Sequence, residues 1–147
     1  MSHVDSVLAT LRVMVGIADA TVAETTSELT LTQFRALRIV VERTPVTMGV
    51  VARELAINAS SVTRACERLV TLGLLQRARN PLNKREVLLA PTVAGRRMAN
   101  RVDQARRAAL AAVLDRLDPD TRSTVVTAFE RFTAAVESAP IPHGATV

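Results

Sequence analysis

Apolar residues recur at spacings of three and four near both ends of the chain, a pattern typical of amphipathic helices. At the amino-terminal end this stripe predicts a helix over about 5–24. At the carboxyl-terminal end it predicts a long helix over about 93–117, and then a last helix that Asp118 caps and Pro119 begins. One small domain cannot easily cover so many apolar helix faces, so we expect the terminal helices to pair with a second copy of the chain.

The middle of the chain predicts three shorter helices and then a change to the two-residue period of a strand. Thr30 and Gln33 form a capping box at the start of the first of these helices, and Pro45 closes it. Asn58 is placed to cap the third, and Gly73 is a favourable residue to end it. The predicted helices are 30–44, 48–56 and 59–72, and the predicted strands are 74–79 and 85–89, with a turn-rich loop at 80–84.

Two helices joined by a three-residue turn and followed by a hairpin describe a winged helix-turn-helix. We therefore predict a mainly α fold with a small β-hairpin wing, extended by N- and C-terminal dimerisation helices. The predicted parts are an N-terminal dimerisation helix at 1–28, a winged helix-turn-helix DNA-binding domain at 29–91, C-terminal dimerisation helices at 92–138 and a frayed tail at 139–147.

Positive charge is concentrated in the middle of the chain. The 147 residues carry a net charge of +5, and 18 of the 19 basic residues are arginine. Between Arg53 and Arg107 there are twelve basic and four acidic residues, a local net charge of +8, against −3 for the remainder. A basic block of this kind favours a polyanionic partner. With three Phe and no Tyr or Trp, the chain lacks the aromatic platforms that single-strand binding by stacking requires.

The predicted helix at 59–72 and the hairpin carry the candidate DNA-binding residues. A recognition helix presents its first turns to base edges, and cations around a hairpin attract phosphates or enter a narrow minor groove. The candidates are Asn58, Ser60, Ser61, Thr63, Arg64 and Arg68 at the helix, and Arg77, Arg79, Lys84 and Arg85 in the hairpin. Of these, Arg64 is suited to pair with guanine. The plainer alternatives are helix-capping serines, a solvated arginine face and a hairpin that charge protects from aggregation.

Five short segments also carry a resemblance to a known family. They are Leu31-Thr32-Gln33-Phe34-Arg35-Ala36-Leu37, Val51-Ala52-Arg53-Glu54-Leu55-Ala56, Ser61-Val62-Thr63-Arg64-Ala65-Cys66-Glu67-Arg68-Leu69 with Gly73-Leu74-Leu75-Gln76-Arg77, Asn80-Pro81-Leu82-Asn83-Lys84-Arg85, and Thr92-Val93-Ala94-Gly95. In this order and spacing they resemble the second helix, third helix, recognition helix with its strand, wing and fifth-helix start of the MarR family of bacterial transcriptional regulators. The resemblance covers about Leu29 to Gly95.

The resemblance implies a homodimer that places its recognition helices in successive major grooves and its wings in the minor groove. It implies that Arg85 is the wing-tip arginine. The chain departs from the family pattern at Asn83, where an aspartate that often orients this arginine is usual, and at Pro91, where leucine is usual. Many members release DNA when a small aromatic or phenolic effector binds. Others sense oxidants through a cysteine in the first helix, which this chain lacks, and we expect Cys66 to be a buried, inert thiol.

Other classes of function find little support in the sequence. There is no nucleophile elbow, phosphate loop or metal-ligand spacing, so we expect neither an enzyme, a metal site nor a cofactor. The apolar run at 13–18 is too short for a signal peptide, and no uninterrupted run approaches a membrane span. We therefore expect a cytoplasmic protein with no membrane partner.

The sequence favours a dimeric regulator that binds double-stranded DNA at a palindromic operator, as a repressor released by a small-molecule ligand. The alternative is a ligand-binding or adaptor helical dimer of the same fold that does not bind DNA. The central basic block argues against that alternative, because such a protein has no need for it.

Overall fold

The computed structural model describes residues 2–139. Within them the elements are α1 (His3–Thr25), α2 (Leu31–Arg43), β1 (Val46–Thr47), α3 (Met48–Leu55), α4 (Ala59–Thr71), β2 (Leu75–Asn80), β3 (Asn83–Pro91), α5 (Val93–Leu114) and α6 (Pro119–Ser138). The chain divides into two compact units, 1–107 and 108–147. The predicted tail at 139–147 lies outside the described residues except for Ala139.

Side-chain caps start the helices where the sequence predicts them. The Thr30 hydroxyl accepts the Gln33 backbone N–H, and the Gln33 side chain accepts the Thr30 N–H, which completes the predicted capping box of α2. Asn58 caps α4 and Asp118 caps α6 in the same way, each through a side-chain oxygen that accepts the N–H three residues on. These caps satisfy backbone donors that a helix start leaves unpaired, and they confirm the predicted helix starts.

The small sheet differs from the prediction in two respects. It has three antiparallel strands in the order β1-β3-β2, and the sequence did not indicate β1, whose Val46 pairs with Leu89. The hairpin is also tighter than predicted, because Asn80 pairs with Asn83 and only residues 81–82 lie between the strands. The predicted five-residue turn at 80–84 is therefore wrong. The architecture is mainly helical with a small antiparallel sheet, as predicted.

A single apolar core lies within residues 22–102. It is formed where α2, α4, the sheet and the first half of α5 meet, and its largest fully buried side chains include Phe34, Leu37, Leu69, Leu75 and Leu89. Burial of each such side chain stabilises the fold by about 1.5–3 kcal/mol. The core fixes which side of α4 faces inward and therefore which side faces solvent.

The first turn of α5 is bonded to the end of α4. The Thr92 hydroxyl donates to the Gly73 carbonyl and accepts the Gly95 N–H. Gly73 has a φ of 72°, the left-handed conformation that glycine adopts without strain, and it follows α4 as predicted. The start of α5 and the end of α4 are thus held to each other by three residues.

The terminal helices leave apolar residues uncovered. Val22 near the end of α1 is buried in the core, but the same apolar stripe is exposed toward the start of the helix at Val4, Val7, Leu8, Leu11 and Val15. Among residues 2–139, α1 is the one helix long and apolar enough, by length and composition alone, to cross a membrane. In the second unit, α6 has no buried residue, and Phe129, Phe132 and Val136 are exposed.

The long helix α5 ends at Leu114, earlier than the predicted 117. The N–H groups of Arg116 and Leu117 donate to carbonyls three residues back, Val113 and Leu114, rather than four. This tighter turn closes the helix before Asp118 starts the next one.

Candidate nucleic-acid interface

The amino-terminal end of α4 is organised by Asn58. Its Oδ1 accepts both the Ser61 N–H and the Ser60 hydroxyl, each at 2.8 Å. The Thr63 hydroxyl donates back to the Ala59 carbonyl at 2.9 Å. The cap of α4 is therefore the amide of Asn58, and the serine side chains do not cap the helix, in contrast to the plainer sequence interpretation. Ser60 and Thr63 keep their oxygen lone pairs available to an outside donor.

The two faces of α4 are cleanly separated. Val62, Ala65, Cys66 and Leu69 are buried in the core. On the other side, Asn58, Ser60, Thr63, Arg64 and Arg68 are all exposed, and only Ser61 among the six candidates of this helix is half-buried. A helix with this division can lie in a groove with its polar side while its apolar side stays packed.

Cys66 is a buried thiol on the inner side of α4, as predicted. Burial raises the pKa of this thiol to about 11, and the nearby positive charge of Arg77 opposes the rise. A thiol with so high a pKa is almost entirely protonated at neutral pH, and the thiolate is the reactive form. The environment of Cys66 therefore does not favour an oxidant sensor.

The wing carries an irregularity that projects its basic residues. The strand pairs run regularly from Leu75–Pro91 to Arg79–Val87, and then the register jumps to the Asn80–Asn83 pair. Three residues of β3, 84–86, consequently lie opposite no residue of β2 in this ladder. A bulge of this kind re-aims side chains and bends the strand. Lys84 and Arg85 lie in the bulge, and both are exposed.

Two asparagines hold the wing in this shape. The Asn80 amide donates to the Glu86 carboxylate at 2.8 Å, and its Oδ1 accepts the Leu82 N–H at 3.0 Å. Asn83 Oδ1 accepts the backbone N–H of Arg85 at 3.2 Å. Asn83 thus positions the backbone of Arg85 through an amide oxygen, which is neutral. In the resembled family an aspartate carboxylate is usual at this position.

The remaining hairpin candidates lie on β2. Arg77 and Arg79 are two residues apart on that strand, so they project from the same side of it, and both are exposed. Because β2 packs beside α4, Arg77 is close enough to Cys66 to influence the pKa of the thiol. The hairpin therefore brings Arg77 close to α4, and its bulge carries Lys84 and Arg85.

The arrangement has donors suited to a polyanion. Arginine forks match phosphate and guanine in a bidentate geometry, and the exposed Ser and Thr oxygens match base-edge amines. The sequence interpretation assigned no role to Asn80, Glu86 or the Thr92 hydroxyl, which support the wing and join α4 to α5. The sequence Asn80-Pro81 is typical of a turn, and it could have predicted that the Asn80 side chain bonds to the turn backbone. No local pattern indicates the other two contacts, because they depend on tertiary approach.

Comparison with known proteins shows which proteins the chain resembles. The profile described as the MarR family matches residues 27–86, which run from just before α2 into the first half of β3. An HTH-type transcriptional regulator of Mycobacterium tuberculosis is 27% identical over 114 residues, 78% of this chain and 80% of that protein.

Solved structures give the same fold. The crystal structure of RV1404 from Mycobacterium tuberculosis is 31% identical, covers 90% of each chain and superposes with a TM-score of 0.80. A MepR variant of S. aureus bound to an oligodeoxyribonucleotide is 12% identical, with a TM-score of 0.69 over 92% of this chain and 99% of that one. At that identity the second likeness concerns the fold alone.

Proposed function

The chain belongs to the MarR family of HTH-type transcriptional regulators, and from that premise we propose that it acts as a homodimer that binds a palindromic operator in double-stranded DNA. We propose further that it is a repressor, that a small molecule releases it from DNA, and that it works in the cytoplasm. Within each protomer, the elements proposed to contact DNA are α4 and the wing of the 29–91 domain.

The observation that carries the proposal is the exposure of the candidate residues. Nine of the ten, all but Ser61, are exposed, while the opposite side of α4 is buried. In the proposed complex Arg64 contacts base edges in the major groove, and Arg85 enters the minor groove or contacts phosphates. The MepR variant with bound DNA has the same fold, which is consistent with this use of α4 and the wing.

Exposed apolar helix faces support the proposed dimer. Leu11 of α1 is 55% exposed and Phe132 of α6 is 59% exposed. Each helix therefore exposes apolar side chains, and large exposed apolar patches mark association sites. A homodimer with closed two-fold symmetry would cover the same residues on both copies. Such a dimer presents two recognition helices, and an operator with two half-sites about 34–36 Å apart matches them.

The apolar character of α1 also fits a span across a membrane, and the core contacts of α1 favour the dimer. Val22 is 1% exposed within the core, and the Thr21 hydroxyl accepts a hydrogen bond from Arg106 of α5 at 3.2 Å. A helix inserted in a bilayer would lose both contacts. We therefore assign the exposed stripe of α1 to the dimer, and the protein to the cytoplasm.

Release by a ligand requires a path from the dimerisation helices to α4. The bonds among Gly73, Thr92 and Gly95 provide one, because they fasten the end of α4 to the first turn of α5. A ligand that favours a different separation of the two recognition helices weakens DNA binding by its differential affinity for the two states. The resemblance implies a small aromatic or phenolic molecule as the ligand.

The proposed function is tested by binding of the protein to the DNA upstream of its own coding sequence. A salt series by fluorescence anisotropy, with a scrambled duplex of equal composition as control, gives affinity, specificity and salt dependence together. We expect a specific complex of two protomers per operator and an affinity that falls about 10³–10⁵-fold between 50 and 200 mM salt.

Equal affinity for the upstream and scrambled duplexes would contradict an operator in that region. No binding at 50 mM salt, from a protein shown to be folded, would overturn the proposed function. That result would favour the alternative of an adaptor or ligand-binding dimer.

A further inference from the structure

A second basic surface lies on α5, apart from the recognition helix and the wing. Between positions 96 and 107, every exposed residue is an arginine or an amide: Arg96, Arg97, Asn100, Arg101, Gln104 and Arg107. With 3.6 residues per turn, these six positions fall within about 140° of the helix circumference. The residues between them face the core or its edge. We call these six residues the α5 arc.

Only one acidic side chain of α5 lies near the arc. The one acid between 93 and 107 is Asp103, which lies at the margin of the arc and pairs with Arg38 of α2. Arg38 also pairs with Glu42 at 2.8 Å. Within residues 2–139, none of the ion pairs includes an arginine of the arc. Four positive charges therefore face solvent together.

The positions of these arginines do not stabilise α5 itself. Arg96 and Arg97 lie near the amino-terminal end of α5, where the helix dipole favours anions and disfavours cations, and the first turn has no acidic residue. Arg97 and Arg101 are four residues apart, a spacing at which like charges repel. This arrangement weakens an isolated helix, and an anionic partner outside α5 would offset that cost.

The composition of the arc favours a nucleic acid over a protein as that partner. Protein interfaces are anchored by Trp, Tyr and Arg side chains in packed, desolvated pockets, and between 96 and 107 the arc exposes arginines but no aromatic or aliphatic side chain to pack around them. Arg, Asn and Gln are side chains that contact the phosphates of DNA. The arc is about 16 Å long at 1.5 Å per residue, which is long enough for its arginines to contact more than one phosphate of a strand.

We propose that the α5 arc is a second, sequence-independent contact surface for the phosphate backbone of double-stranded DNA. It starts beside Leu74, which follows the carboxyl-terminal end of α4. Most of the proposed DNA-contacting residues of α4 lie at its amino-terminal end, and Arg68 lies in its last turn. The phosphates belong either to the flank of the operator duplex or to a second duplex. The inference rests on the proposed function only for the operator used as a probe.

The test compares two double variants of the full chain that each remove two positive charges. The first, Arg97→Gln with Arg101→Gln, changes the arc; the control, Arg35→Gln with Arg116→Gln, changes two exposed arginines outside the arc and outside the described ion pairs of residues 2–139. Affinity is measured against salt on a short upstream duplex, the same duplex with long unrelated flanks, and an unrelated duplex. A bead assay also measures retention of a fluorescent unrelated duplex by protein bound to an immobilised operator.

If the flank supplies the phosphates, the arc variant lowers the salt slope by about 1.8 relative to the control on the flanked duplex, and not on the short one. If a second duplex supplies them, the slopes on the short and flanked duplexes agree, and the arc variant retains less than about a third of the fluorescent duplex that the control retains. Either result supports the proposal.

Equal behaviour of the two variants in every arm would overturn the proposal. Displacement of the retained duplex by poly-L-glutamate as readily as by free duplex would overturn it as well, in favour of an acidic protein partner. The unrelated duplex separates these results from a failure of the proposed function, because the arc effect does not require an operator. A wild-type protein that binds all duplexes alike would contradict the operator and leave the arc comparison intact.

Discussion

Gly95 lies so close to Leu74 that a Cβ on the glycine would come within 2.0 Å of the Leu74 carbonyl oxygen. The same oxygen accepts the Thr92 backbone N–H at 3.1 Å, and this hydrogen bond keeps it in place. A glycine at this position is therefore required by the close approach of α5 to the segment after α4.

We expect Gly95→Ala to destabilise the protein by about 1–3 kcal/mol or more, because the obstructing atoms are backbone and cannot rotate away. The measurement is the midpoint of urea unfolding. Gly49→Ala is the matched control, since the nearest atom to a Cβ there is 3.9 Å away. A Gly95→Ala protein as stable as the control would contradict the close approach.

Replacing Arg64 and Arg85 by alanine should change DNA binding in different ways. Arg64→Ala removes a base-edge contact, so we expect a loss of about 1–3 kcal/mol on the preferred sequence and a change in sequence preference. Arg85→Ala removes mainly charge, so binding should weaken on all sequences and the salt slope should fall by about 1. Binding to a panel of operator variants distinguishes the two. Equal losses on every duplex for both proteins would disprove the assigned roles.

Leu11→Glu should separate the protomers of the proposed dimer. The side chain is 55% exposed in the single chain, so the change should leave the fold intact while placing a charge in the apolar interface. Sedimentation over a range of concentrations should show a monomer and a weaker operator affinity. Ala9→Glu, exposed on another side of α1, is the control that should remain dimeric. A dimeric Leu11→Glu protein would remove the exposed stripe of α1 from the interface.

Arg106 ties α5 to α1 and to the core. It donates to the Thr21 hydroxyl and the Ala18 carbonyl, each at 3.2 Å, and it lies 4.7 Å from the centre of the Phe34 ring. Burial lowers the pKa of Arg106, Asp103 counteracts this effect, and Arg38 adds to it. We expect Arg106→Met to lose about 1–3 kcal/mol of unfolding free energy, because it removes hydrogen bonds made by a charged donor.

The control for that prediction is Arg107→Met, whose exposed side chain makes none of these bonds. It should change the stability by less than about 0.5 kcal/mol. Similar losses in both variants would mean that the contacts of Arg106 do not stabilise the fold.

Cys66 gives the stability a dependence on alkaline pH. Burial raises the pKa of the folded thiol to about 11 from an ordinary value of 9.0, so the unfolded chain releases this proton first. Between pH 9.0 and about pH 11, the folded protein therefore keeps a proton that the unfolded chain has released. The free energy of unfolding consequently falls as the pH rises through this range. Urea unfolding of wild type and Cys66→Ala from pH 8 to pH 11 isolates this contribution. Parallel curves would contradict it.

Local signals in the sequence predict the helix starts well. Thr30 with Gln33, Asn58 and Asp118 act within one turn of their own positions, so a pattern of four residues contains all the interacting groups. The buried side of α4 follows from apolar periodicity for the same reason. The exposure of the α4 candidates other than Ser61 could be predicted once that buried side was assigned.

The features that the sequence does not reveal depend on distant partners. Val46 forms a strand only because Leu89, more than forty positions away, offers it an edge. The tight wing turn depends on the bond between Asn80 and Glu86 across the hairpin. The pattern of Pro91 and Thr92 indicates a helix start, but it does not show that the Thr92 hydroxyl reaches Gly73.

The hydrogen bonds around Asn58 limit what the tip of α4 can recognise. Both lone pairs of Asn58 Oδ1 are occupied by Ser60 and Ser61, which leaves its NH₂ group as a donor only. The Ser60 and Thr63 hydroxyls donate to Asn58 and to the Ala59 carbonyl, so with these bonds intact their free lone pairs can accept. In the proposed complex, Asn58 would therefore donate to an acceptor such as a phosphate or a purine N7. Ser60 and Thr63 would accept from an exocyclic amine of adenine or cytosine, and their hydrogen bonds within α4 prearrange that polarity.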